Sequence, residues 1–284
     1  MIPAAFDYVT PSTVDDAVRA LAEAGEDAKV LAGGQSLIPV LRLRMAAPTK
    51  LIDLGRVTAM RGIRDDGDAI VIGAMTTHYD VQRDPLVTEH ARLIQLATDK
   101  VADPQVRHRG TFGGALAHAD PAGDLLAPAL AMDATFVVSG MDGRRMVPAK
   151  DFFVDYFTTA LRADEVLVEV RIPKHTGWTA HYEKFNRVAQ AWSIVGVAAT
   201  IRAEGGTIAE ARVALTNMAP VPVRARSVEE ALVGHPATID TIKAAAAHAA
   251  DGTAPTTDAN ADPAYRQHLA RVLTGRALTA AAGV

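Results

Sequence analysis

Apolar positions in this chain follow two periods, and their order divides it. Up to residue 57 short apolar runs alternate with helical spacing. Phe6-Asp7-Tyr8-Val9 predicts a short edge strand, stopped by Thr10-Pro11. Val14, Ala17, Val18, Leu21 and Ala22 recur at helical spacing, with Ser12 or Thr13 placed to cap and Gly25 just past the end. Lys29-Val30-Leu31-Ala32 predicts a buried strand and Leu37 to Met45 a helix capped by Ser36. Leu51-Ile52-Asp53-Leu54 then closes a β-α-β-α-β unit.

A second segment opens near Gly62. Ile63 and Ala69 to Ile72 flank Asp65-Asp66-Gly67-Asp68, a hairpin signature. Thr76 or Thr77 is placed to cap a helix over His78 to Arg83, and Leu86 to Lys100 predicts one longer amphipathic helix. Gly123-Asp124 is expected to open a helix through Met132. Ala134 to Ser139 and Arg144 to Val147 predict a hairpin around Asp142-Gly143, and Glu165 to Ile172 a further strand. Beyond the linker Pro173 to Gly177 three antiparallel strands are predicted: Ala180 to Val188, Ser193 to Ala203 and Thr207 to Asn217. Helices follow at Arg224 to Val233, Ile239 to His248 and Asp262 to Ala281. Strands first and helices afterwards mark a separate α+β unit.

Composition narrows the function. A length of 284 residues with a net charge of −4 describes a chain with ample core and no basic block. Nucleic acid is therefore not an expected partner. No apolar run approaches the roughly 18 residues of a transmembrane helix, and the first residues show no secretory pattern. The expected location is cytoplasmic. Cysteine is absent, which excludes disulfides, thiolate catalysis and a cysteine-held iron–sulfur cluster on this chain. Redox chemistry would need an organic cofactor.

Candidate chemistry lies in two glycine-paired loops, Ala32-Gly33-Gly34-Gln35-Ser36 and Thr111-Phe112-Gly113-Gly114-Ala115. Paired glycines permit positive φ, so successive N–H groups can face one concavity and take a phosphate. Two such nests predict a diphosphate held from both sides, with the Ser36 and Thr111 hydroxyls beside it. Asp124 adds a carboxylate, either a helix-end charge or an acceptor for a cofactor hydroxyl. The rival motifs are missing. There is no Gly-x-Gly-x-x-Gly after the first strand, no Gly-Lys-Ser/Thr, no His-Glu-x-x-His and no Gly-x-Ser-x-Gly.

These loops, with Arg109-Gly110 and His118-Ala119-Asp120-Pro121-Ala122-Gly123-Asp124, resemble the FAD-binding medium subunit of the molybdenum hydroxylases. Tyr182 to Arg187 and Thr216 to Ala219 extend the resemblance over the whole chain. It implies a flavin-binding domain of the vanillyl-alcohol oxidase type over 1–176, with subdomains 1–57 and 58–176, and a C-terminal domain over 177–284. It implies FAD contacts at 32–36, Leu37, 111–115, Asp124, Leu161 and Lys184, with Trp192 placed to cover a flavin face. Gln35 stands where distant flavoproteins carry a covalent histidine link, so the FAD is expected to be non-covalent. Phe112, Ala115 and His108 depart from the residues common in the family.

The same resemblance implies no catalytic residue and no metal on this chain. A molybdenum cofactor belongs to a large subunit and [2Fe–2S] clusters to a small one, in a dimer of heterotrimers. Electrons then reach FAD and leave to an external acceptor such as a quinone or NAD. Within the family the similarity is greatest to the aerobic carbon monoxide dehydrogenase type. Xanthine, aldehyde and N-heterocycle dehydrogenases are the alternatives, followed by a stand-alone flavin oxidase.

Overall fold

The computed structural model describes residues 2–284. The first unit is built from β1 (Asp7–Val9), α1 (Val14–Ala24), β2 (Ala28–Leu31), α2 (Leu37–Arg42) and β3 (Lys50–Asp53). Its three strands run parallel in the order β1-β3-β2, with Leu51 opposite both Tyr8 and Lys29. The α1 pattern sets its face: Val14, Ala17, Val18 and Leu21 are buried, while Ala22, at the flank of that stripe, is exposed. Thr13 caps it by accepting the Asp16 N–H, and Gly25 ends it at φ 70°. Helix α2 is shorter than its apolar spacing predicts, ending at Arg42, and Ser36 makes no side-chain capping bond.

The second unit opens with the hairpin β4 (Ile63–Asp66) and β5 (Ala69–Gly73). A helical stretch follows: α3 (His78–Arg83), α4 (Pro85–His90), α5 (Arg92–Asp99), α6 (Pro104–Arg109), α7 (Phe112–His118) and α8 (Leu126–Ala131). The single helix expected over 86–100 is two, broken at Ala91, whose backbone takes φ −139° and ψ 46°. Both pieces bury their apolar residues in one core, including Val87, Leu93 and Ile94, so periodicity alone could not reveal the break. Asp124 does not open α8, which starts two residues later. The unit closes with β6 (Thr135–Gly140), β7 (Gly143–Pro148), α9 (Ala149–Phe152), β8 (Phe153–Asp155), β9 (Thr158–Thr159) and β10 (Val166–Pro173). Five of these strands form a sheet in the order β4-β5-β10-β6-β7, in which β10 pairs antiparallel with both β5 and β6.

The third unit is a four-stranded antiparallel sheet, β11 (Thr179–Phe185), β12 (Val195–Glu204), β13 (Thr207–Thr216) and β14 (Val223–Arg224). Helices α10 (Arg226–Leu232), α11 (Ile239–Ala246) and α12 (Pro263–Ala282) complete it, with α12 packed on β11 and β12. Its own core runs from Ile194 to Ala281, while Tyr182, Ala198 and Ala214 turn the other way and join the core of the first two units. This two-sided sheet fixes the third unit against α5 and α8. The fold is thus α+β: a parallel and an antiparallel unit face each other, and a C-terminal antiparallel sheet with helices closes one end.

Candidate functional site

Strand β2 delivers the chain to the first glycine loop at the seam between the first two units. Gly34 takes φ +74°, the left-handed region that glycine enters without a Cβ penalty. Among the described residues, no protein acceptor receives the backbone N–H of Gly33, Gly34, Gln35 or Ser36. Four successive free donors around a turn are what an anion nest requires. Gly33 serves a different need. A Cβ there would lie 2.3 Å from the Arg109 carbonyl oxygen and 2.7 Å from the Gly110 Cα, so the two loops touch through bare backbone.

The second loop departs from the expected nest. Gly113 and Gly114 lie inside α7, and every N–H of its first turn is already used. Phe112 donates to Thr76 O at 2.9 Å and Gly113 to Ala74 O at 2.9 Å. Gly114 donates to the Thr111 hydroxyl at 3.2 Å, and Ala115 to Thr111 O at 3.0 Å. These glycines allow close packing instead: a Cβ on Gly113 would sit 2.4 Å from the Ala74 Cβ. Phe112 and Gly113 are buried and face the core, away from the open space. The sequence pattern Gly-Gly could not distinguish a nest from a tight helix contact.

Three adjoining cavities of about 240, 390 and 230 Å3 follow this seam. The first lies between the glycine loop and Asp53, Arg61 and Arg109; the second is lined by Ala32 to Leu37, Thr111, Gly114, Ala115 and Leu161. The third reaches Asp124, Lys184 and Trp192. The cleft therefore gathers Ala32, Gly33, Gly34, Gln35, Ser36, Leu37, Thr111, Gly114, Ala115, Asp124, Leu161, Lys184 and Trp192, and leaves out Phe112 and Gly113. Trp192 is 54% exposed at the mouth of the third cavity. His108, exposed beside the first cavity, stacks on Tyr79 with ring centroids 4.0 Å apart.

At the far end the carboxylate of Asp124 is almost fully engaged by the third unit. One oxygen accepts from the Tyr182 and Ser193 hydroxyls, each at 2.9 Å, and the other from Lys184 Nζ at 2.7 Å. Both members of the pair are buried. Burial pushes the Asp124 carboxyl up, and the Lys184 ammonium and the two hydroxyls pull against that push. The turn before it is docked on the same sheet, with Asn217 donating its backbone N–H to Pro121 O at 2.9 Å. Asp124 is therefore a joint between units as well as a wall of the cleft.

Family models match along the chain: the FAD binding domain in molybdopterin dehydrogenase over residues 4–175, and the CO dehydrogenase flavoprotein C-terminal domain over 180–281. The chain belongs to the FAD-binding medium subunits of the molybdenum hydroxylases. It is 42% identical to the carbon monoxide dehydrogenase medium chain of Hydrogenophaga pseudoflava, covering 99% of this chain and 98% of that one. It is 36% identical to the counterpart from Afipia carboxidovorans, over 98% and 97%. The solved carbon monoxide dehydrogenase of H. pseudoflava superposes with a TM-score of 0.96, covering 99% of this chain and 98% of that chain. This medium subunit is thus part of an oxidoreductase, and the fold expected from the sequence is the fold it has.

The cleft of this medium subunit fits FAD on its own chemistry. The free amides of 33–36 suit a diphosphate, and the three cavities adjoin in series along the seam, as an extended dinucleotide requires. His78 lines the second and third of them. The sequence offered His78 only as the first residue of a capped helix, so its place in the cleft was missed. Tyr182 and Ser193 were missed as well, since they stand 58 and 69 residues from the carboxylate they bind.

Burial, followed by the nearby Arg107 charge, pushes His78 down to about 4, and burial followed by Arg212 does the same to His175. Both imidazoles stay neutral in the folded chain where the unfolded chain has begun to protonate. The unfolded state then binds more protons between pH 6.5 and 4, so stability is full above that window and falls as pH drops through it. His78 alone contributes on the order of 1 kcal/mol per pH unit in mid-window. Denaturant midpoints of the FAD-free chain measured from pH 7 to 4 are expected to fall steadily, and His78→Leu to reduce the slope. An unchanged slope in that variant would remove His78 from this account.

Proposed function

We propose that this chain is the FAD-carrying medium subunit of an aerobic carbon monoxide dehydrogenase. The observation that carries the reading is the pairing of a free-amide cleft with full-length similarity to two carbon monoxide dehydrogenase medium chains. Residues 1–176 form the FAD-binding unit, as subdomains 1–57 and 58–176, and 177–284 the unit that closes it. When bound, FAD exchanges electrons singly or in pairs, which suits a link between one-electron clusters and a two-electron acceptor.

The chain itself binds and orients. The amides of 33–36 take the diphosphate, and the Ser36 hydroxyl, unused by its helix, is free to join them. Thr111, Gly114 and Ala115 form the opposite wall, Leu37 and Leu161 supply apolar contact, and Trp192 covers the mouth. Asp124 and Lys184 hold the closing unit in place at the far end. A small subunit with [2Fe–2S] clusters and a large subunit with the molybdenum cofactor complete a dimer of heterotrimers. The complex is cytoplasmic or peripheral at the inner membrane, and it delivers electrons to a quinone, NAD or another acceptor. Similarity to a 6-hydroxypseudooxynicotine dehydrogenase subunit at 34% identity supports an N-heterocycle substrate as the second reading.

Co-expression with the partner subunits tests both readings. The expected complex carries FAD, iron–sulfur and molybdenum, and carbon monoxide bleaches its flavin and cluster absorbance. Reduction by a purine, aldehyde or N-heterocycle with none by carbon monoxide would overturn the substrate, and a complex without flavin would overturn the subunit's role.

A further inference from the structure

Helix α2 runs on from the first glycine loop as a wall of the cleft, and little of the protein covers it. Leu37, Val40 and Leu41 stand at i, i+3 and i+4, the stripe that faces inward. Leu41 is buried, Leu37 and Val40 line the second cavity, and Ile38 borders the first. FAD in the cleft would cover the last three. Leu43 and Met45 remain, 59% and 74% exposed, and neither borders the cleft.

The helix end holds both residues in the open. Arg44 donates its N–H to Leu41 O at 3.0 Å and Met45 to Val40 O at 3.1 Å, the two bonds of a Schellman cap. The turning residue of such a cap is left-handed and usually glycine; here it is Arg44, at φ 56°. The residue after it commonly packs back on the helix, yet Met45 does not. Within the protein the Arg44 guanidinium only donates Nε to Ile2 O at 3.2 Å, and Ile2 is itself exposed. Glycine would serve folding better here, so the side chain has a use beyond folding.

The charge around this patch has one sign. Residues 28–52 carry Lys29, Arg42, Arg44 and Lys50 and no carboxylate, in a chain of net charge −4. Among the described residues neither Arg42 nor Arg44 forms an ion pair. Exposed Leu and Met beside unpaired guanidinium groups suit a protein partner whose apolar patch is rimmed by carboxylates. Position selects the partner. Electron transfer weakens steeply with separation, so the subunit that feeds FAD must lie against a wall of the cleft, and α2 is such a wall.

We propose that Leu43 and Met45, with the Arg42 and Arg44 guanidinium groups, dock the iron–sulfur subunit through an apolar patch of that subunit rimmed by Asp or Glu. The inference rests on this chain being the flavin subunit of such a complex.

The chain has no cysteine, so Met45→Cys gives it a single thiol. A maleimide photo-crosslinker attached there before assembly with the two partner subunits is expected to capture the iron–sulfur subunit. Capture of the molybdenum subunit, of a second copy of this chain, or of nothing in an assembled complex overturns the proposal. Leu43→Glu with Met45→Glu is expected to weaken retention of the iron–sulfur subunit at least about tenfold. The isolated double variant should bind FAD and melt as wild type does, because both side chains are already exposed. Arg44→Gly is expected to raise the melting temperature by improving the cap and still to weaken retention several-fold. Retention equal to wild type in the double variant or in Arg44→Gly also overturns the proposal. A wild-type chain that assembles with neither partner overturns the subunit's role itself, which separates the two failures.

Discussion

Replacing Gly33 by alanine is expected to abolish FAD retention at micromolar concentrations while leaving most of the fold intact. The added methyl meets the Arg109 carbonyl oxygen at 2.3 Å and the Gly110 Cα at 2.7 Å, both backbone, so no side-chain rotation relieves it. The loops must separate, and the four amides of 33–36 lose their common aim. Overpacking of this kind costs typically about 1–3 kcal/mol of stability, far less than a domain needs to unfold. The stronger effect falls on binding, because positioned donors are lost together. Gly34→Ala is the informative comparison, since its Cβ would meet Ile38 Cδ1 at 2.7 Å, the end of a flexible side chain, but at a φ of +74°. It is expected to weaken FAD binding less than Gly33→Ala. Measured by flavin fluorescence on dilution, equal retention by wild type and Gly33→Ala would refute the role given to the loop contact.

Asp124→Ala is expected to destabilise the chain by about 3–5 kcal/mol, the usual consequence of leaving one member of a buried ion pair alone. Lys184 would keep its buried ammonium with only the Lys100 carbonyl oxygen, 3.1 Å away, as partner. Tyr182 and Ser193 would each lose an acceptor. The double variant Asp124→Leu with Lys184→Met removes both charges and is expected to recover most of the stability. Denaturant midpoints followed by Trp178 and Trp192 fluorescence measure both effects. A single variant as stable as wild type would show that the pair does not join the units.

Much of the fold was legible because local rules and tertiary packing agree. Thr13 and Gly25 bracket α1, the Asp-Gly turns mark two hairpins, and Gly205-Gly206 joins β12 to β13. The failures have physical causes. Ala91 breaks a helix whose apolar positions continue unbroken on the far side. Asp103-Pro104 is a cap followed by proline at the first helical position, a readable start for α6, but the helix that follows is short and largely polar. At the site, the sequence marked both glycine loops, and the first has the free amides that a nest needs. The second was misread in kind, because glycine needed for contact with Ala74 looks the same in sequence as glycine needed for positive φ. His78, Tyr182 and Ser193 carry no local signature at all; only the tertiary fold brings His78 to the cleft and the two hydroxyls to the Asp124 carboxylate.

The central claim, that the free amides of 33–36 are the FAD diphosphate site, is tested most directly by hydrogen–deuterium exchange on the complex with and without FAD. The expected result is strong protection of the 33–36 amides on FAD binding, with 112–115 protected in both states by their internal hydrogen bonds. Unchanged exchange at 33–36 under saturating FAD would contradict it.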